Sequence, residues 1–224
     1  MSCNISLQDI DRMAQHPQYQ SMIFEWQYKV MGIEQSYSDF ADRIESEIES
    51  IVLDIESNRP YYTESEEDQI SSHIVSMLKQ KCIDATHGTF YAGSTDILVK
   101  HGSCQWIGEA KWHRSDDNIL EGMRQLSTRY SSGSDKCCRG GLIIYNNTSN
   151  LNEKIMRLKK HWENNGANEY VNMKVLTCLK SSSSFLTTHE HCSSGLSYLV
   201  RHRWISLHHD PQDKSAKAKK NREP

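Results

Sequence analysis

Apolar residues recur along this chain with two periods, and the change from one to the other marks its organisation. Over the first sixty residues the period is helical. From Phe40 the positions Ile44, Ile48, Ile51, Val52 and Ile55 fall on one stripe, opposite a face of Asp and Glu. Ser36 with Asp39 supplies a start, and Asn58, Arg59 and Pro60 supply a stop. A second helix is expected over about 64–81, with Thr63 and Glu66 in a capping-box pattern and Ile70, Ile74, Val75 and Leu78 as its buried stripe.

After Ile83 the period shortens. Segments around Phe90, at 95–100 (TDILVK) and at 105–113 (QWIGEAKWH) are short and rich in β-branched and aromatic residues, and HGSC between the last two reads as a hairpin turn. Asp116 or Asp117 then opens a helix with Ile119, Leu120, Met123, Leu126 and Tyr130 on its inner side. A Ser/Gly/Lys loop at 131–140 leads to a strand, Gly141–Tyr145, whose almost wholly apolar run fits burial on both faces. A helix from Asn150 carries Leu151, Ile155, Leu158 and Trp162. A strand at 173–179, a serine-rich loop at 181–184 and β-like stretches near 185–191 and 197–207 complete the series. Alternation of strand and helix in this order predicts an α/β sandwich with a mixed sheet.

Composition narrows this picture. The 224 residues suffice for one sizeable core, and 37% hydrophobic with 25% charged residues suits a polar globular domain. No apolar run approaches a membrane span, and the first thirty residues lack a basic-then-apolar signal pattern, so a cytoplasmic protein is expected. The seven cysteines are odd in number and scattered without a CxxC pair, which reads as reduced thiols.

The net charge of −3 hides a segregation. Residues 34–68 are acidic, the expected solvated face of a helical brace or dimerisation element, whereas KIMRLKKH at 154–161 and KSAKAKKNR at 214–222 are basic. The expected organisation is an N-terminal helical extension over 1–60, a main domain over 61–210 and a disordered basic tail over 211–224.

The hairpin carries the candidate chemistry. Side chains alternate along a strand, so Ile107, Glu109, Lys111 and His113 share one face. With HGSC as the turn, antiparallel pairing sets Lys100 opposite Gln105, and stepping back sets Asp96 opposite Glu109. Facing carboxylates repel by up to about 1 kcal/mol and call for a compensating cation. Their hard oxygen donors suit Mg²⁺ or Mn²⁺, with the backbone carbonyl of Ala110 as a further ligand. Lys111 is then placed to orient water or to stabilise charge on a phosphate.

Asp96 in GSTDILVK and Glu109-Ala110-Lys111 in WIGEAKWH resemble the PD-(D/E)XK nuclease superfamily, although Thr95 stands where the eponymous proline would be. The resemblance covers about residues 64–146. It implies a restriction-endonuclease-like three-layer sandwich, with a mixed central sheet flanked by helices, and metal-dependent phosphodiester hydrolysis in which Asp96, Glu109 and Lys111 act. It also implies DNA as the first expected substrate, in a role such as defence or restriction, with RNA as the alternative. A non-catalytic nucleic-acid-binding or assembly module on the same fold is the contrasting expectation. Members often add a glutamate from the helix before the hairpin and a glutamine from the helix after it. Glu67 and Gln125 occupy those places here, each equally readable as an ordinary exposed helical residue. Pairing through the N-terminal helices to form a homodimer is a further expectation by analogy.

The histidines add less. His189, His191 and Cys192 have a metal-compatible spacing but no evident fourth ligand, and His113 reads as the solvated end of its strand. On the helix after Asn150, inward Leu151, Ile155, Leu158 and Trp162 leave Lys154, Arg157, Lys159, Lys160 and His161 on its flanks or outer surface, equally readable as a solvated basic face or as a face for phosphates.

Overall fold

The computed structural model describes residues 6–20, 22, 23, 26, 36–90 and 94–213, so the basic segment 214–222 lies outside the described residues. Helices are α1 (Leu7–Ala14), α2 (Tyr37–Ser57), α3 (Glu67–Gln80), α4 (Asp116–Arg124) and α5 (Leu151–Glu169). Strands are β1 (Asp84–Thr86), β2 (Thr89–Phe90), β3 (Ser94–Thr95), β4 (Ile97–His101), β5 (Cys104–Trp112), β6 (Arg139–Asn146), β7 (Lys174–Thr177), β8 (Ser184–Glu190) and β9 (Ser197–Ser206). A seven-stranded sheet runs β1-β4-β5-β6-β9-β8-β7, and β2 pairs with β3 apart from it. The sheet is mixed: β5, β6 and β9 are mutually parallel at its centre, and antiparallel pairs lie on either side.

Strand alternation divides the core in two. Ile97, Val99, Trp106, Ala110, Ile143, Tyr145 and Ile205 face α2 and α3, whereas Leu98, Ile107, Leu142, Ile144, Val200 and Trp204 face α4 and α5. The architecture is therefore helices, sheet, helices. β6, the apolar strand at its centre, is buried along nearly its whole length, as its composition requires.

Helix starts follow from local chemistry. Ser36 Oγ accepts from Asp39 N at 3.1 Å and Ser115 Oγ from Asn118 N at 3.2 Å. The Thr63–Glu66 pattern is not the cap that forms: Glu66 is the N-cap of α3, and Gln69 Oε1 accepts from Glu66 N at 2.9 Å. The helix after Ser115 does not stay α, since Gln125–Tyr130 widens into a π-helical turn.

α2 is a full layer of this core, sharing one cluster with α3 and the sheet from Phe40 to Ile55. Its apolar stripe from Phe40 to Ile55 is buried within the chain. The acidic face is also partly engaged. Arg139 pairs with Asp42 at 3.1 Å and Glu45 at 2.9 Å, while Glu49 takes Arg201 and Arg203 at 2.8 Å each. Both Arg201 and Arg203 are 4% exposed, so their charges need these partners. Glu49→Ala leaves two buried guanidinium groups short of an acceptor and should lower unfolding free energy by about 3 kcal/mol. Urea unfolding measures this, and a loss below about 1 kcal/mol would place the anchoring of α2 elsewhere.

Candidate active site

The site arises where β4 is too short for β5. β4 has 5 residues and β5 has 9, and their pairing ends at Ile97 opposite Gly108. The register is Lys100 opposite Gln105, so Asp96 stands one step past the last pair, level with Glu109. Asp96 itself leaves the strand, and His87 Nδ1 donates to its backbone carbonyl at 2.7 Å. On its other edge β5 remains paired with β6 as far as Trp112 opposite Tyr145.

Residues 109–112 thus have one covered edge and one open edge. The N–H groups of Ala110 and Trp112 point to the open edge, where carboxylates replace the missing strand. Asp96 Oδ2 accepts from Ala110 N at 2.7 Å, and Glu67 Oε2 accepts from Trp112 N at 2.7 Å. Since the N–H and C=O of one strand residue point to the same side, the Ala110 carbonyl lies on this edge too. Glu67 gets there from the first turn of α3, and Trp112 Nε1 donates to Ser65 O at 3.2 Å to tie that helix start to the strand.

Lys111 joins the acids. Its Nζ lies 2.5 Å from Glu109 Oε1 and 3.3 Å from Glu67 Oε1. Glu109 is 2% exposed, and its Oε2 is buried without a hydrogen-bond partner. Burial pushes the Glu109 carboxyl up to about 8, with Asp96 acting in the same direction and Lys111 opposing. Burial also raises Asp96, against the hydrogen bond from Ala110. Burial works to lower Lys111, but Glu109 and the other carboxylates outweigh it and hold the ammonium above its ordinary range.

Lys111 and Glu67 line a cleft of about 650 Å³ with Ser65, Trp112, Arg114 and Asn118. Glu109 is not on its wall, so Lys111 links the cleft to the buried carboxylate. Asn118, Trp112 and Arg114 were not singled out as site residues by sequence reasoning.

Other candidates fall differently. Gln125 is half-buried at the start of the π turn, its Oε1 has no partner, and it makes no hydrogen bond to Asp96, Glu109, Lys111 or Glu67. His113 is no solvated strand end: its side chain is 6% exposed, it lies 3.1 Å from Asp116, and Arg157 Nε holds Asp116 at 2.6 Å. His189 and His191 are buried against Tyr198, with His189 also on Tyr170. They and Cys192 form no metal cluster among the described residues.

The same holds more widely, since no group of three or more His, Cys, Asp or Glu side chains among the described residues stands ready to hold a metal ion. At the open edge the reason is visible. Asp96 and Glu67 each turn one oxygen to a β5 N–H, and Lys111 occupies Glu109 and Glu67. The donor chemistry nonetheless fits a hard divalent cation. The buried Glu109 and the half-buried Asp96 both resist ionisation, Glu109 Oε2 lacks any partner, and a carbonyl shares their edge. Comparison of the chain with family models, curated proteins and solved structures returns no match.

A cation arriving at this edge must displace the Glu109 proton whenever the pH is below about 8. Affinity for Mg²⁺ should therefore rise as the pH approaches that value and level off above it. Near neutrality, binding should release roughly one proton. Calorimetry in two buffers of different ionisation enthalpy reads both, and an affinity that is flat with pH and free of proton release would contradict the assignment of Glu109.

Proposed function

We propose that this protein is a divalent-metal-dependent nuclease on a restriction-endonuclease-like scaffold, hydrolysing phosphodiester bonds, with DNA as its first expected substrate and RNA as the alternative. The observation that supports this reading is the meeting of Asp96, Glu109, Glu67 and Lys111 on the open edge of β5, with a buried carboxylate oxygen left unpartnered. Asp96, Glu109 and the Ala110 carbonyl are the groups that would hold Mg²⁺ or Mn²⁺. When bound, such an ion lowers the pKa of water and polarises a phosphoryl oxygen. Lys111 is the chain's own contribution to the chemistry. Its ammonium, on the wall of the cleft, is placed to orient the attacking water and to stabilise charge on the phosphate.

A second reading has an observation of its own. Asp96 and Glu67 already satisfy the backbone of β5, and Lys111 already pairs with Glu109, so the same residues fit an edge cap in a non-catalytic binding or assembly module. The two readings part on mutation. In the nuclease, Glu109→Ala and Asp96→Ala each lower cleavage by on the order of 10²-fold or more while the protein stays folded. Lys111→Ala reduces turnover more than cation affinity. Digestion of single- and double-stranded DNA and RNA with Mg²⁺ or Mn²⁺, run beside circular dichroism, tests this, and wild-type rates in both carboxylate variants would reject the site.

Substrate binding extends the proposal to α5. Leu151, Ile155, Leu158 and Trp162 do turn inward, but two basic residues there have internal partners: Lys154 Nζ donates to Asn146 Oδ1 at 2.7 Å and Arg157 holds Asp116. Lys159 and Lys160 carry no ion pair among the described residues. Replacing both with alanine in Glu109→Ala protein should weaken duplex binding for all sequences alike and lower the salt slope by about one for each phosphate no longer neutralised. Unchanged slopes across a salt series would take α5 out of the substrate path.

A further inference from the structure

Gly122 sits in the interior of α4, a position where glycine is the weakest helix former apart from proline and alanine the strongest. The reason for a glycine there lies across the interface. A Cβ built on Gly122 meets Lys111 Cγ at 2.9 Å, Leu142 Cδ1 at 3.1 Å and Lys111 Cε at 3.6 Å. The stem of Lys111 runs through the space that a side chain would fill.

We infer that Gly122 is a positioning residue for Lys111: its missing side chain leaves the channel that lays the lysine stem against α4 and brings Nζ onto Glu109 and Glu67. This deepens the proposed function and rests on it for the catalytic consequence. Cγ is two bonds from the backbone of β5, which β6 pairs through this stretch, so the clash cannot be relieved by bending the tip of a flexible chain. Relief requires a different χ1 at Lys111. That change swings Nζ away from Glu109 Oε1, now 2.5 Å distant. The nearest neighbours of the new methyl are Lys111 and Leu142, so the substitution acts on the carboxylates through the lysine rather than by direct contact.

Gly122→Ala tests the inference. At saturating Mg²⁺, turnover should fall on the order of 10²-fold, the loss expected of a catalytic group displaced by about an ångström, with KM within about twofold of wild type. A second readout needs neither metal nor activity. In cation-free protein a small amine-acylating reagent, with the labelled site read by mass spectrometry, should modify Lys111 about 10-fold faster once its ammonium has lost Glu109. An unchanged acylation rate overturns the positioning role even if turnover falls. Absence of nuclease activity in the wild type would instead refute the proposed function and leave the acylation result standing. Should Gly122→Ala fail to fold, Gly122→Ala combined with Lys111→Ala restores folding if the stem fills that space, and a double variant that also fails to fold rejects the inference.

Discussion

A strand that outruns its neighbour is the constraint on which this site depends. Pairing between β4 and β5 stops at Gly108, yet β5 continues to Trp112 because β6 still holds its other edge. Each buried N–H left unpaired on the open edge would cost about 1–3 kcal/mol. Asp96 and Glu67 supply the acceptors, one from the break before β4 and one from the first turn of α3. Backbone accounting alone thus draws two carboxylates to the strand that already carries Glu109. Lys111 is the local answer to the resulting charge, and the unpartnered Glu109 oxygen is what that answer leaves over.

The three layers make the convergence rigid. α3 lies on one face of the sheet with α2, and α4 lies on the other with α5. Glu67 reaches round the strand edge from the first face, while Glu109 and Lys111 project into the second, where Gly122 makes room for the lysine stem. No single layer contains the site. It depends on both being docked, and on the first face part of that docking is electrostatic, through the buried guanidinium groups of Arg201 and Arg203 held by Glu49.

Much of this was legible in the sequence because it depends on local periods. The shift from helical to alternating pattern near Ile83, the HGSC turn and the register that sets Lys100 opposite Gln105 all follow from spacing, and the register brings Asp96 level with Glu109. What spacing cannot carry is the identity of neighbours far along the chain. The acidic run of α2 read as a solvated face because its partners lie 94 residues away, at Arg139, and 152 away, at Arg201. His113 read as solvated because Asp116 belongs to the next helix and Trp204 to the last strand of the chain. Glu67 stood equally between a ligand and a plain helix-start residue, and only the open edge of β5 assigns it a partner. The π turn at Gln125 left no trace in a stripe whose apolar positions fit an α-helix just as well.

The balance of charge around the cleft carries a last consequence for the proposed reaction. Glu64, Glu66, Glu67 and Asp68 line it against Lys111 and Arg114. A polyanion approaching that wall meets net repulsion, and the low-dielectric setting of Glu109 and Asp96 beneath it makes any added negative charge more costly than in water. A divalent cation on those two carboxylates would neutralise them and lessen that repulsion. In the proposed reaction its binding and that of a phosphodiester would then be coupled, and reciprocally so: whatever the cation adds to substrate affinity, the substrate would add to cation affinity. In the proposed nuclease, Glu67 would belong to both halves of this balance, capping the open edge of β5 and lining the acidic wall of the cleft, so that substrate binding and cation loading would form one linked equilibrium.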